Sequence, residues 1–308
     1  MRGLWPWLRL LAALAVITLL AVRLGTDAVL DGLRAVSAPA AFAALGLGLL
    51  TTVACAYRWR LVARGLGLPL TLGQAVGDYY RGLLLNSVLP AGILGDLHRA
   101  LSHGRQSGDL GKGVRAVVLE RFAGQAVLIT IGLGVLATTS VPGLDLGPTL
   151  LWLVPLLAVA LLLPPVRRVL TRTLTDARAL ATRDTLPGVL GLSAAAVAGH
   201  VLLFLLAAHL AGVRAGVLEL VPLAVLTLLV MAVPVNVGGF GPREAFLAVA
   251  FGAAGFGAEQ GLTTGVVYGV LALVSALPGI LPLLLPQRGE GQPERLDQPR
   301  EHVLALAR

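Results

Sequence analysis

Cys55 is the single cysteine among 308 residues. That excludes an intramolecular disulfide framework and a thiolate metal cluster, and leaves the thiol to be read as a packed apolar group. Charge is scarce as well: 13% of residues are charged against 56% apolar, and the mean hydropathy is +0.85. This balance excludes an ordinary soluble domain and identifies an integral membrane protein. Catalytic constellations are missing. The chain has no Walker lysine loop, no HExxH, no nucleophile elbow and no Cys/His metal spacing, so no catalytic residue, metal ligand or cofactor is expected. Nucleic acid is not an expected partner either. The net charge is +8, yet the basic residues, all arginine except Lys112, are scattered between hydrophobic segments instead of forming one face.

What the sequence has in abundance is long apolar runs. Windows of about 20 residues predict spans near Leu4 to Val22, Ala40 to Tyr57, Ala116 to Thr138, Leu150 to Leu163, Leu190 to Leu210 and Leu262 to Leu285. The first carries Arg2 and Arg9 ahead of an apolar run, as a signal peptide does, but no clean small-x-small site follows, and it is expected to stay as a span. Two further stretches, Leu72 to Leu101 and Leu218 to Phe256, are interrupted by proline, glycine and charge. They are expected to be re-entrant helix pairs that enter and leave by the same side.

Positive charge sets the orientation. With the N-terminus inside, the cytoplasmic segments hold Arg2, Arg9, Arg58, Arg60, Arg64, Arg99, Arg105, Lys112, Arg115, Arg167, Arg168, Arg172, Arg178, Arg183 and the tail arginines. Only Arg23, Arg34 and Arg214 fall outside, so both termini are assigned to the cytoplasm. The expected fold is an all-α polytopic membrane protein with about six full transmembrane helices and two re-entrant broken-helix pairs, arranged as an inverted repeat. Residues 1–287 form one transmembrane domain, with halves of about 1–140 and 148–287, and 288–308 form a cytoplasmic tail whose composition suits disorder.

The two interruptions are the candidate site. Lipid offers no water to freed backbone groups, and a charge at mid-bilayer costs roughly 2.5 to 3.5 kcal/mol on insertion scales, so broken helices usually line a site. In the first break Pro90 cannot continue a helix, Gly92 and Gly95 permit close backbone approach, and Asp96, His98 and Arg99 follow. The helix that starts there points its N-terminus, suited to a phosphate or carboxylate, into the protein, with Asn86 beside it. In the second break Pro234 ends a helix, Gly238, Gly239 and Gly241 turn the chain, and Pro242 fits the first position of the next helix. Glu244 suits that helix's dipole; Arg243 opposes it and needs an anion, with Glu244, Glu120, Asp96 or a ligand phosphate as candidates.

Glu120 and Arg121 point about 100° apart on one helix and are expected to serve different partners, either as an interfacial pair or in a polar network between the two breaks. Asp78, Tyr79, Tyr80 and Arg81 read equally as interfacial anchors or substrate contacts. His200, alone on an apolar helix, reads as a packed histidine with one backbone partner, with a proton relay as the alternative. Gly257, Gly261, Gly265 and Gly269, and Gly191, Ala195 and Gly199, form small-residue stripes for helix contact or for a sliding seam.

These residues carry a resemblance. The region from about residue 5 to 286 resembles the transmembrane region of lysylphosphatidylglycerol synthases, the flippase-like domain family, through Asn86, Pro90, Gly92, Gly95, Asp96 and Arg99, through Glu120, Arg121 and Gly124, and through Pro234, Gly238, Gly239, Gly241, Arg243 and Glu244. Ala91 and Leu94 stand where the family pattern has glycines. The resemblance implies helical bundles with re-entrant elements, of which the best understood move an aminoacylated phospholipid from the inner to the outer leaflet. The segment after Pro286 is expected to be too short for the cytoplasmic synthase domain of such proteins. The leading expectation is therefore a bacterial plasma-membrane flippase for an anionic phospholipid or a polyprenyl-phosphate-linked lipid, with these break residues, Glu120 and Arg121 binding the substrate. The alternatives are a non-transporting partner that presents lipid to a separately encoded transferase, and a membrane-embedded enzyme.

Overall fold

A computed structural model describes residues 36–88, 93–138, 175, 177, 185–232 and 242–284. The elements formed by the described residues are all helices: α1 (Ala38–Gly65), α2 (Leu72–Val88), α3 (Leu94–Gln106), α4 (Leu110–Thr138), α5 (Leu186–Leu210), α6 (Val217–Met231), α7 (Pro242–Ala253) and α8 (Ala258–Ala276), the last continued through a 3-10 turn (Leu277–Gly279) into α9 (Ile280–Leu284). Four are long and apolar enough to cross a membrane, namely α1, α4, α5 and the combined Ala258–Leu284 segment. The expected spans at Leu4 to Val22 and Leu150 to Leu163, and the tail at 288–308, lie outside the described residues. Within the interrupted stretches the described residues form α2 and α3 in the first and α6 and α7 in the second; 89–92 and 233–241 lie outside the described residues.

Local chemistry fixes the ends. Pro39 and Pro187 sit in the first turns of α1 and α5, where a missing N–H costs nothing. Both helices close the same way: Gly67 (φ 75°) and Gly212 (φ 78°) adopt the left-handed conformation that ends a helix without a Cβ clash. The Gly67 and Leu68 N–H groups then bond the Arg64 and Ala63 carbonyls, and the Gly212 and Val213 N–H groups bond those of His209 and Ala208. The starts of α2 and α6 match too. The Gln74 side chain accepts from the Thr71 N–H at 3.2 Å, and that of Glu219 from the Gly216 N–H at 2.7 Å.

The packing recurs with the caps. α1 touches α2 and α4, α2 touches α3, and α3 touches α4; α5, α6, α7 and α8 make the same pairings among themselves. Across the two sets α4 packs on α5 and α6, α8 packs on α1 and α2, and α1 lies along α5. The last pair runs antiparallel, since Leu61 lies beside Gly188, Arg58 beside Ser193 and Thr51 beside Gly199. Lipid tails are as apolar as leucine, so close backbone approach rather than hydrophobic segregation holds such helices together. Gly113 lies against Gly104 and the Ala100 carbonyl, and Gly261 against Phe251 and the Leu247 carbonyl. Gly132 receives the Leu229 side chain as Gly279 receives that of Leu84.

The glycine stripes are thus partly corrected. Gly261, Gly265 and Gly199 are contact points, but Gly257 caps α8 with φ 94° and Gly191 meets nothing within 4 Å.

Candidate functional site

The first break is tied across its own gap. Asn86, near the end of α2, accepts the Gly95 N–H on Oδ1 at 2.7 Å and donates from Nδ2 to Asp96 Oδ2 at 3.1 Å. One amide thereby holds the first turn of α3 and orients its acid. A Cβ at Gly95 would run into the Gly82 carbonyl, so only glycine lets α2 and α3 cross there. Pro90 and Gly92 lie outside the described residues.

Below this crossing, Glu120 on α4 is completely buried and collects donors from three other helices. Its Oε1 accepts from Arg58 Nε at 3.0 Å, from Arg58 Nη2 and from the Tyr79 hydroxyl at 3.2 Å, while Oε2 accepts from Arg99 Nη2 at 2.9 Å. Arg58 also donates from Nη1 to Ser193 Oγ on α5 at 3.0 Å, and Gly124 leaves room for its guanidinium. A buried carboxylate holds its charge only when hydrogen bonded and opposed by positive charge, and this one has both. Glu120 lies ten residues into α4, about 15 Å along its axis from Leu110.

Arg99 links the acid to the break. Its Nη2 also donates to Asp96 Oδ1 at 3.0 Å, and its guanidinium carbon lies 4.5 Å from the Trp59 ring centre and 4.2 Å from that of Tyr79, a cation–π sandwich. The residue is 1% exposed, yet Nε and Nη1 find no acceptor among the described residues, and neither does the nearby Trp59 Nε1. Arg121, whose side chain is 45% exposed, completes the chain by pairing with Asp96 Oδ2. Arg58, Glu120, Arg99, Asp96 and Arg121 therefore form one continuous network of alternating charge.

At the second break, Pro242 opens α7. Arg243 donates from Nε to Glu244 Oε1 at 2.9 Å, and its guanidinium carbon lies 5.4 Å from the Tyr268 ring centre. Of the candidate partners, Glu244 is bonded to it. Pro234, Gly238, Gly239 and Gly241 lie outside the described residues.

Three sequence expectations change. Glu120 and Arg121 do serve different partners, but the contacts formed by both run to the first break and to α1. Arg58 was counted as a cytoplasmic flanking charge and is instead buried at 5% exposure in the heart of the network. Tyr79 is likewise no interfacial anchor: it is buried, bonded to Glu120 and stacked on Arg99. Its neighbour Arg81 pairs with Asp78 at 2.7 Å and bonds the Pro282 carbonyl.

Comparison with known families decides what this arrangement belongs to. The family described as the lysylphosphatidylglycerol synthase TM region matches residues 7–279. The chain belongs to this family. Comparison with curated proteins and with solved structures gives no match. As a member of the lysylphosphatidylglycerol synthase TM family the protein is a multi-pass helical membrane protein with a lipid-related function. The match takes in both breaks and the whole Glu120 network.

Proposed function

We propose that this protein is a flippase that moves an anionic phospholipid, or a polyprenyl-phosphate-linked lipid, between the leaflets of a bacterial plasma membrane, with both termini cytoplasmic. The observation that carries the proposal is the network that runs from the buried Arg58, Glu120 and Arg99 through Asp96 to the exposed Arg121. Three guanidinium groups and two carboxylates inside a bundle of membrane helices are costly as packing elements, and they offer cations to a headgroup.

Inverted halves supply the movement in this reading. Support comes from the recurrent caps and pairings of α1–α4 and α5–α8 and from the antiparallel course of α1 and α5. α2, α3, α6 and α7 have 17, 13, 15 and 12 residues, at most about 26 Å at 1.5 Å per residue. Such lengths suit re-entrant pairs entering from opposite faces, with the site exposed alternately to each side. The site residues are Asn86, Gly95, Asp96, Arg99, Glu120 and Arg121, joined by Arg243 and Glu244 and by the proline and glycine residues of both breaks. While the headgroup is absent, Asp96 and Glu120 hold the arginines; acyl chains stay in the bilayer throughout.

The test is reconstitution into liposomes with leaflet-resolved labelling of lipids carrying different headgroups. Movement of an anionic lipid by the pure protein, lost on replacing Arg121 by glutamine, is the expected result. If no headgroup moves, with or without a proton gradient, transport is wrong and the protein is a partner that presents lipid to a transferase.

A further inference from the structure

The recurring caps bring positions of the two helix sets into correspondence. Gly108 (φ 72°) ends α3 as Gly255 (φ 81°) ends α7, and the next N–H groups bond back to the Gly104 and Phe251 carbonyls. Counted from these glycines, from Gly67 and Gly212 and from Gln74 and Glu219, His103 matches Ala250, Arg58 matches Leu203, Trp59 matches Phe204 and Tyr79 matches Ala224. The chemistry of the two sets is opposite. Leu203, Phe204, Ala224 and Ala250 lie in one buried apolar cluster with Phe251 and Tyr268. There the Phe204 ring centre lies 6.5 Å from that of Phe251 and 6.2 Å from that of Tyr268. Their counterparts are polar, and two are incompletely satisfied. A carbonyl only accepts, so His103 Nε2, 3.1 Å from that of Pro69, carries the proton and leaves Nδ1 with a lone pair. Neither this Nδ1 nor Trp59 Nε1, on a ring whose centre lies 5.2 Å away, meets a partner among the described residues, although both side chains are buried. Among the described residues the other buried side-chain atoms without partners, on Arg60, Tyr80, Arg99 and Gln125, also belong to α1–α4.

Polar atoms buried without partners disfavour the packed form, and water that enters as the packing opens relieves them. Opening an apolar cluster toward water gains no hydrogen bond and exposes its rings. Arg99 does hold α3 to Glu120 in the closed form, but water oxygens can stand in for a carboxylate, and nothing in water stands in for a packed ring. Resting on the reading of this protein as a flippase with two inverted halves, we propose that its cycle is lopsided. α3 parts from α1 and α4 in each turnover, while α7 stays packed on α5 and α8 as the fixed frame. The first re-entrant pair is the low-stability unit of the bundle, and the contact of His103 with Trp59 is where it comes open.

Hydrogen exchange followed by mass spectrometry on the full chain in lipid nanodiscs reads this opening without transport. After correction for intrinsic rates, the amides of residues 99–106 in α3 should exchange about tenfold faster than those of the matching residues 246–253 in α7. Equal protection of the two helices, or faster exchange in α7, overturns the proposal. The cause is tested by the double variant Trp59→Phe, His103→Phe, which sets two apolar rings against each other as Phe204 and Phe251 are set. Exchange in α3 should then slow by about threefold or more, with lipid movement falling alongside it. Unchanged or faster exchange in a variant whose α7 keeps its protection overturns the polar mismatch as the cause, and the wild-type comparison stands whether or not the variant folds. The leaflet assay separates the two readings. Lipid movement with α3 and α7 equally protected sinks the lopsided cycle alone, and an α3 that opens in a protein that moves no lipid sinks the flippase alone.

Discussion

Arg58 and Glu120, 62 residues apart in the chain, meet through two guanidinium nitrogens on one carboxylate oxygen, at a point where neither is open to the surroundings. The pair ties α1 to α4 and fixes the acid on which Tyr79 and Arg99 also depend. Removing one partner of a buried pair costs about 3 to 5 kcal/mol, because the other charge is left without compensation.

Glu120→Gln is therefore expected to be more harmful than Arg58→Met. The first strips compensation from two guanidinium groups, the second from one carboxylate that keeps Arg99. Thermal unfolding of detergent-solubilised protein should give the larger fall in Tm for Glu120→Gln; the reverse order would contradict the arrangement.

Gly124→Ala tests the space around Arg58. A Cβ there would stand 2.9 Å from Arg58 Nη1, and overpacking of this kind costs typically about 1 to 3 kcal/mol. Transport should fall several-fold with protein still in the membrane, whereas Gly134→Ala on the same helix, which meets nothing within 4 Å, should leave both unchanged.

Gly95→Ala is expected to open the α2–α3 crossing, since its methyl group would displace the Gly82 backbone and the Asn86 bond together. Membrane abundance and protease resistance should both drop, by contrast with Gly73→Ala at an open position of α2. Equal behaviour of the two variants would mean that the crossing does not need its glycine.

Orientation can be read by labelling single cysteines after Cys55→Ser. Ser107→Cys, just beyond α3, should react with an impermeant reagent from the cytoplasmic side, and Arg214→Cys, between α5 and α6, from the other. The opposite pattern would invert the orientation.

Much of this fold was legible because lipid makes interruptions conspicuous. Pro90, Gly95 and Asp96, or Pro234 and Gly238, cannot pass for ordinary span residues, and Gly95 and Asp96 fall in the first turn of α3. Glu120 stood out for the same reason, as an acid in an apolar run. Arg58 did not, because hydropathy falls away after Tyr57 and the arginine reads with Arg60 and Arg64 as a flank, whereas α1 in fact continues to Gly65 and turns Arg58 inward. Tyr79 was hidden by chemistry common to interfaces and cores alike. Pairing across 62 residues leaves no local signal, and neither does the stacking of Arg99 between two rings contributed by different helices.

The bond from Arg58 Nη1 to Ser193 Oγ crosses the contact between α1 and α5. A slide of one helix past the other by a single turn, about 5.4 Å, ruptures it and drags a guanidinium along or leaves it behind. The electrical state of Glu120 is in that sense a strain gauge: it registers how the two bundles lie against each other, and a bound headgroup that loosens Arg99 would be felt at the joint as a change of tension.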